Sequence, residues 1–288
     1  MKKYLRIVCT IIILLMVFQF TGCKKNQKKP TSQKKPSVSQ KMSTPKELTK
    51  IEQDIETIIK EGQKLQNAQK AGQSSSVTTV APQIKQSFNK KSQQCVQKSG
   101  QNSKPSQPKE PPEKKSWNTI DKTVKDIHTN WNVLIPTATK AGANSNLINN
   151  VSTAINTLTT NSNNKSINDT LIAANNVYKY IPDIETLFKA ELTPDIKRLR
   201  YYNRDIAFNA STGKWDIAKK DIADLNTTWK TLKVKLTNEA KSSADKFDAG
   251  LAELEKSVNS KDSTITKVKS DVLETDIKSL EKASKSKK

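Results

Sequence analysis

Histidine is nearly absent: the 288-residue chain has one, His128. A single imidazole excludes Cys/His zinc sites and every multi-histidine metal site. Glycine is scarce as well, with seven dispersed residues, so no glycine-rich loop is present to cradle a phosphate. Aromatic residues make up 5% and hydrophobic residues 34% of the chain, and the mean hydropathy is −0.71. That is lean for one large core, so part of the chain is expected to be unfolded tether, with the apolar residues gathered elsewhere. No nucleophile–base pair stands out, and the chain is expected to be neither an enzyme nor the holder of a metal or cofactor.

What is present begins with an address. Lys2, Lys3 and Arg6 make a positive start, and Ile7 to Phe20 is an apolar run interrupted only by Thr10 and Gln19. That run has the length of a signal-peptide core and is short for a membrane span. Phe20-Thr21-Gly22-Cys23 follows and resembles the bacterial lipobox, although leucine is more usual than Phe20 at its first position. The resemblance implies cleavage before Cys23 and a lipid anchor on its thiol, facing outside the cytoplasm. The other reading is an uncleaved anchor helix with an incidental cysteine. Cys9 would leave with the signal, so Cys95 would be the one free thiol of the mature chain and no internal disulfide could form.

The net charge is +22, and residues 24–116 carry 20 basic against 7 acidic side chains. A lysine-rich leash beside a lipid anchor is expected to lie along anionic lipid headgroups or wall polymers. It can also be read simply as a solubilising tail. Nucleic acid, the other generic partner of a basic chain, is set aside because export keeps the chain away from it.

Residues 1–22 therefore read as signal peptide and 23–44 as disordered basic tether. Thr44, Pro45 and Glu47 carry a helix-start pattern, and Leu48, Ile51, Ile55, Ile58 and Ile59 recur at helical spacing. A weaker pattern runs through Val80, Ile84 and Phe88. Residues 45–98 are thus expected to hold one or two isolated helices, followed by a Pro-rich linker over 99–115. The folded part is expected to begin at 116.

From there an internal repeat is visible. Trp117 and Trp131 are 14 residues apart, as are Trp215 and Trp229, and the two pairs are offset by 98. Val124 with Ile222, Ile127 with Leu225 and Leu134 with Leu232 extend the match. Farther on, Asn161-Ser162 would match Asn259-Ser260, and Ile167 would match Ile265. The class is all-α. Two tandem three-helix repeats, 116–190 and the later part of 191–288, are expected, joined by an αα-hairpin that starts at Thr193-Pro194-Asp195. Pro136 and Pro182 are expected to kink or end their helices. The tryptophans fall on one heptad face and read as bundle core, or more sharply as an aromatic ligand box. His128 reads as a solvated helix flank. Asp126 and Asp224, at equivalent places, read as solvated faces or as a paired acid/base or cation site.

Arginine supplies the sharpest local feature. Beyond the signal there are three, Arg198, Arg200 and Arg204, interleaved with Tyr201 and Tyr202. A guanidinium binds carboxylate or phosphate through a planar fork that lysine lacks. The cluster is a candidate contact for an anionic partner, with Arg200 and Arg204 on one face and Arg198 about 160° from Arg200. The competing reading is pairing within the chain, with Asp195, Asp205 or Asp216.

Trp215-x-x-Ala218 with Asp221-Ile222 and Trp229, then Phe247-x-x-x-Leu251-x-x-Leu254, resembles a family of membrane-anchored helical-bundle lipoproteins of Gram-positive bacteria that has no established activity. The resemblance covers roughly 116–285 and implies fold and location, not chemistry. Two functions follow as expectations: a membrane-anchored helical binding or structural module of the cell envelope that meets a protein partner, or a ligand-binding or sensory lipoprotein with a pocket between the repeats.

Overall fold

The computed structural model describes residues 42–75, 111–189 and 193–285. The signal segment, Cys23, nearly all of the tether, the Val80–Ile84–Phe88 pattern and Cys95 lie outside those residues. Among the described residues every regular element is a helix: α1 (Lys46–Ser75), α2 (Pro112–Lys140), α3 (Ser145–Asn163), α4 (Ile167–Tyr178), α5 (Ile181–Glu185), α6 (Thr193–Ser211), α7 (Trp215–Lys233), α8 (Lys241–Asn259) and α9 (Ser263–Lys285). A 3-10 turn, Asn238–Ala240, precedes α8. None of them is long and apolar enough to cross a membrane.

The helix expected to stand alone is a core member. α1 packs on α2 and α4, and it buries Leu48, Ile51, Ile55, Ile58, Ile59 and Leu65 with Trp117, Ile120, Ile127 and Leu171. An amphipathic helix carrying that many β-branched and leucine side chains on one face must cover them, and the faces of α2 and α4 do so. At Gly62 the Leu171 side chain packs directly on the α1 backbone, since a Cβ there would meet it at 2.8 Å. The linker is also shorter than expected. α2 starts at Pro112, where proline's missing N–H costs nothing. Pro136 lies within α2, which nonetheless runs on to Lys140, whereas Pro182 opens the short α5.

Each tryptophan-bearing helix therefore belongs to a set of four helices, not three. α1, α2, α3 and α4 surround the first core, and α6, α7, α8 and α9 surround the second. α6 is the wall between them. Its Tyr201 and Phe208 join the first core, while Ile196, Leu199 and Ile206 join the second.

The offset between the halves also differs from the sequence reading beyond the first loop. Trp131 Nε1 donates to Ser152 Oγ at 2.9 Å and Trp229 Nε1 donates to Asp248 Oδ1 at 2.6 Å. Lys165 and Lys261 take the left-handed conformation, at φ 54° and 55°, in the turns before α4 and α9. Both correspondences give an offset of 96. It places Thr170 opposite Thr266, both fully buried, whereas the expected partners Ile167 and Ile265 are 7% and 47% exposed. Loops take up insertions without disturbing the cores they connect, so one offset does not persist through them.

Trp229 is 3% exposed and packs against Phe247 with ring centroids 4.3 Å apart. Trp229→Ala is expected to cost about 3–5 kcal/mol of unfolding free energy, by transfer plus the cavity left behind. Denaturant titration measures it, and a loss well under about 1 kcal/mol is incompatible with a buried ring of this kind.

Candidate functional site

α6 places Arg200, Asn203, Arg204, Ala207 and Phe208 at i, i+3, i+4, i+7 and i+8, one stripe of a helix. In an isolated bundle that stripe would be apolar. Here it forms the floor of a cleft of about 680 Å³ whose walls are α1 and α9. α1 contributes Glu52, Glu56, Ile59 and Lys60, and α9 contributes Ser270, Glu274, Lys278 and Glu281.

The two arginines of the floor are held by carboxylates. Arg200 Nε donates to Glu274 Oε1 at 2.8 Å, Nη2 to Glu281 Oε2 at 2.9 Å and Nη1 to the Tyr178 hydroxyl at 3.3 Å. Arg204 grips Glu56 with both terminal nitrogens, at 2.8 and 2.7 Å, and lies over the Tyr178 ring. Arg198 points away, as its position on the helix requires, and pairs with Asp183 and Asp195 at 2.8 and 2.9 Å. Tyr201 is buried against Lys179 and sits edge-on to Tyr202, which is half-buried.

The expectation of an exposed arginine surface for an anionic partner is therefore corrected. Arg200 and Tyr201 are buried, and each of the three guanidiniums already holds a carboxylate. Of the acids the sequence suggested as internal partners, Asp195 is one. Of the others, Asp183 is 15 residues away along the chain, and Glu56, Glu274 and Glu281 are 74 to 148 residues away.

The ion pairs continue beneath the cleft. Lys197, 7% exposed, lies between Glu52 at 2.7 Å and Glu185 at 3.1 Å, and the Tyr178 hydroxyl donates to Glu52 at 3.4 Å. Burial pushes the Glu185 carboxyl above the ordinary range, and Lys197 opposes that rise. Lys197, Arg200 and Arg204 face Glu52, Glu56, Glu185, Glu274 and Glu281 in one connected network. Among the described residues, two acceptors of cleft-lining side chains have no hydrogen-bond donor, Asn203 Oδ1 and Glu274 Oε2, and both atoms are themselves buried away from the cleft opening. The Asn203 amide cannot turn to cure this, because its Nδ2 donates to the Ser270 carbonyl at 3.0 Å. At the edge, among the described residues, neither Lys60 nor Lys278 has a carboxylate within ion-pair distance, and both are exposed.

A second buried polar group joins α6 to α7. Asp205 accepts from Asn175 Nδ2 and Asn209 Nδ2, at 3.2 and 3.1 Å, and lies beside Asp221. Two buried carboxyls in contact cannot both ionise cheaply. Burial, and next the neighbouring Asp205, push Asp221 up to about 8. A carboxyl whose folded pKa exceeds its unfolded value retains a proton that the unfolded chain releases. The contribution of Asp221 to stability is thus greatest below the ordinary carboxylate range and falls as pH rises toward about 8, by up to about 1.4 kcal/mol per pH unit. Asp221→Asn keeps a donor for Asp205 and removes the titration. Thermal melts should show a flatter pH profile, with the variant more stable than the parent above pH 8. Parallel profiles would mean that the two acids share no proton.

The other sequence candidates are not brought together. His128 is half-buried and hydrogen-bonded through Nε2 to Thr159 Oγ1 at 2.8 Å, where a solvated flank was expected. Asp126 and Asp224 each pair with a lysine one turn away on their own helix, Lys122 and Lys220. Trp117, Trp131 and Trp229 are buried in the two cores, and none of the four tryptophans lines the cleft. No group of metal-ligating side chains occurs among the described residues.

Nothing in the local sequence around Asn203, Glu56, Glu274 and Glu281 marks them as parts of one site. The signal that would have found the floor is the polar triplet Arg200, Asn203 and Arg204, which occupies helix positions where a bundle needs apolar side chains. Comparison with known proteins found no family model, no curated protein and no solved structure that matches this chain.

Proposed function

We propose that the chain is a lipid-anchored protein of the cell envelope, related to the helical-bundle lipoproteins it resembles, that binds a ligand in the cleft between its two helical sets without transforming it. The observation carrying this reading is the cleft itself. Its volume of about 680 Å³ lies within the roughly 300–1,000 Å³ of small-molecule sites, and its polar groups converge on one floor. The anchor is read from the lipobox-like segment at Cys23, with the basic tether adding a smaller electrostatic attraction to anionic headgroups or wall polymers.

Two substitutions test the two halves of the proposal. Cys23→Ser is expected to abolish lipid labelling and release the protein from membranes, and equal retention would sink the anchor. Ala207 is half-buried on the cleft floor and takes no part in the ion pairs. Ala207→Trp should fill the cleft, leave the melting temperature within a few degrees of the parent, and abolish ligand capture in intact cells. Undiminished capture would sink the cleft reading. A scaffold that meets a protein partner on a helix face is the second reading, favoured by Ile265, Val268 and Val272, which stand roughly half-exposed along one side of α9. Replacing those three by serine reduces capture if that reading is right and leaves it unchanged if the cleft is the site.

A further inference from the structure

We propose that the outer face of α9 pairs with the same face of a second copy of the chain, the two helices running antiparallel. The face lies off the cleft, so this pairing holds or fails independently of the ligand reading.

The inner side of α9, with Thr266, Ser270, Leu273, Ile277 and Leu280, is buried, and the helix packs on α6 and α8. On the opposite side Ile265, Val268, Val272, Thr275 and Ser279 recur at alternating steps of three and four, the a and d positions of a heptad. Ile265, Val268 and Val272 are three of the seven large apolar side chains that stand exposed among the described residues. Exposed apolar side chains that occur singly are ordinary, but three in line mark a contact surface. The neighbouring α8 fills its outer face with Lys241, Asp245, Lys246, Glu255 and Lys256. Nor does the fold require the stripe. In α4, the counterpart of α9 at the offset of 96, Asp169, Asn176 and Lys179 stand where α9 has Ile265, Val272 and Thr275. The Thr275 and Ser279 hydroxyls already donate to the carbonyls of Asp271 and Thr275, at 3.4 and 3.0 Å. A partner can therefore cover them without stranding a donor.

The charges flanking the stripe select what covers it. Lys269 and Asp276 lie along one edge, at e positions, and Asp271 and Lys278 along the other, at g positions. A two-fold interface must be complementary to itself, because one patch meets its own copy. In an antiparallel pair e faces e and g faces g. Setting Val272 opposite Thr275 of the partner subunit brings Lys269 to Asp276 of the partner subunit and Asp271 to Lys278 of the partner subunit. Symmetry repeats both contacts, so four opposite-charge pairs form and no like charges meet. The same register lays Val268 against Ser279 of the partner subunit, and Ile265 against the aliphatic stem of Lys282 of the partner subunit, whose ammonium reaches water. A parallel pair would set Asp271 against Asp276 of the partner subunit on both edges. Sliding the antiparallel helices by one heptad would set Lys269 and Asp271 each against its own copy. Asp276 and Lys278 have no ion-pair partner among the described residues, while Lys269 and Asp271 touch Glu253 and Lys267 at 3.2 and 2.7 Å, contacts that a further opposite charge extends.

The test uses the full chain with Cys95→Ser, co-expressed as two differently tagged copies that each carry one cysteine on α9. Oxidation in intact cells is expected to join Val268→Cys to Ser279→Cys, and Val272→Cys to Thr275→Cys, in a product bearing both tags. Val268→Cys in both copies should give little product, since this register holds the two positions well beyond the roughly 7 Å that a disulfide spans between Cα atoms. Lys278→Asp in both copies should lower the joined fraction about tenfold, because symmetry makes one reversal act at two pairs. Adding Asp271→Lys should restore it, with melting temperatures within a few degrees of the parent throughout. Joining of Val268→Cys to itself in place of the mixed pairs would overturn the antiparallel orientation. Joining of Val268→Cys to Val272→Cys would overturn the register. A product that contains only some other protein would overturn the second copy as the occupant. No product from any pair, in variants that melt as the parent does, would overturn the pairing altogether.

Discussion

A chain beginning at Pro112 is expected to lose the fold of its first helical set, although every tryptophan and the whole repeat would be retained. α1 buries six leucine and isoleucine side chains, Leu48, Ile51, Ile55, Ile58, Ile59 and Leu65. At about 1.5–3 kcal/mol each, they contribute on the order of 9–18 kcal/mol of gross transfer free energy, comparable with the whole net stability of a domain, about 5–15 kcal/mol. Removing them also strips the cover from Trp117, Ile120, Ile127 and Leu171. The loss reaches the cleft as well, since Glu52 and Glu56 leave with α1 and Lys197 and Arg204 lose partners. Circular dichroism and melting of a 42–288 fragment beside a 112–288 fragment measure this. Equal molar helicity per residue with equal melting temperatures would show α1 to be dispensable.

Arg200→Met is expected to produce a loss of the same order as Trp229→Ala. Methionine matches the stem but leaves Glu274 and Glu281 without their guanidinium and the Tyr178 hydroxyl without its donor. Breaking one side of a buried ion pair costs about 3–5 kcal/mol, and the lower end applies here because both glutamates keep some contact with water. Arg200→Lys should fall between parent and methionine variant, since one ammonium cannot serve three acceptors in a fixed fork. Replacing Arg200, Glu274 and Glu281 together by apolar residues should recover most of the loss, as the desolvation penalty goes with the charges. Urea titration of the set decides the matter. A methionine variant as stable as the parent would mean that the three contacts contribute nothing net.

How far the site was legible in the sequence depends on the distance over which its parts speak to one another. The three arginines stand out by rarity alone, and their spacing correctly separates Arg198 from the pair Arg200 and Arg204. Their burial is not legible there. An arginine at a helix position has the same local signature whether it faces water or a glutamate 148 residues away, as Arg204 faces Glu56. The isolated-helix expectation for Lys46–Ser75 went astray for a related reason: its apolar stripe shows that a partner is needed but not which one, and the intervening segment hid the answer. The constant offset of 98 holds in the tryptophan helices, where packing demands register, and gives way after a loop whose length the cores do not constrain.

Sequence alone determined the helical class, the heptad faces of the tryptophan helices, the start of α6 and the arginine cluster. These rest on local rules, the 3.6-residue period and the chemistry of caps, which act within a few residues. Tertiary structure alone decided that α1 belongs to the core, that each set has four helices, that α6 is the wall shared by both sets, and that its polar stripe floors a cleft. Those outcomes depend on which apolar and charged faces meet across more than a hundred residues, a choice made by burial and desolvation summed over whole helices, not by the pattern of any one of them.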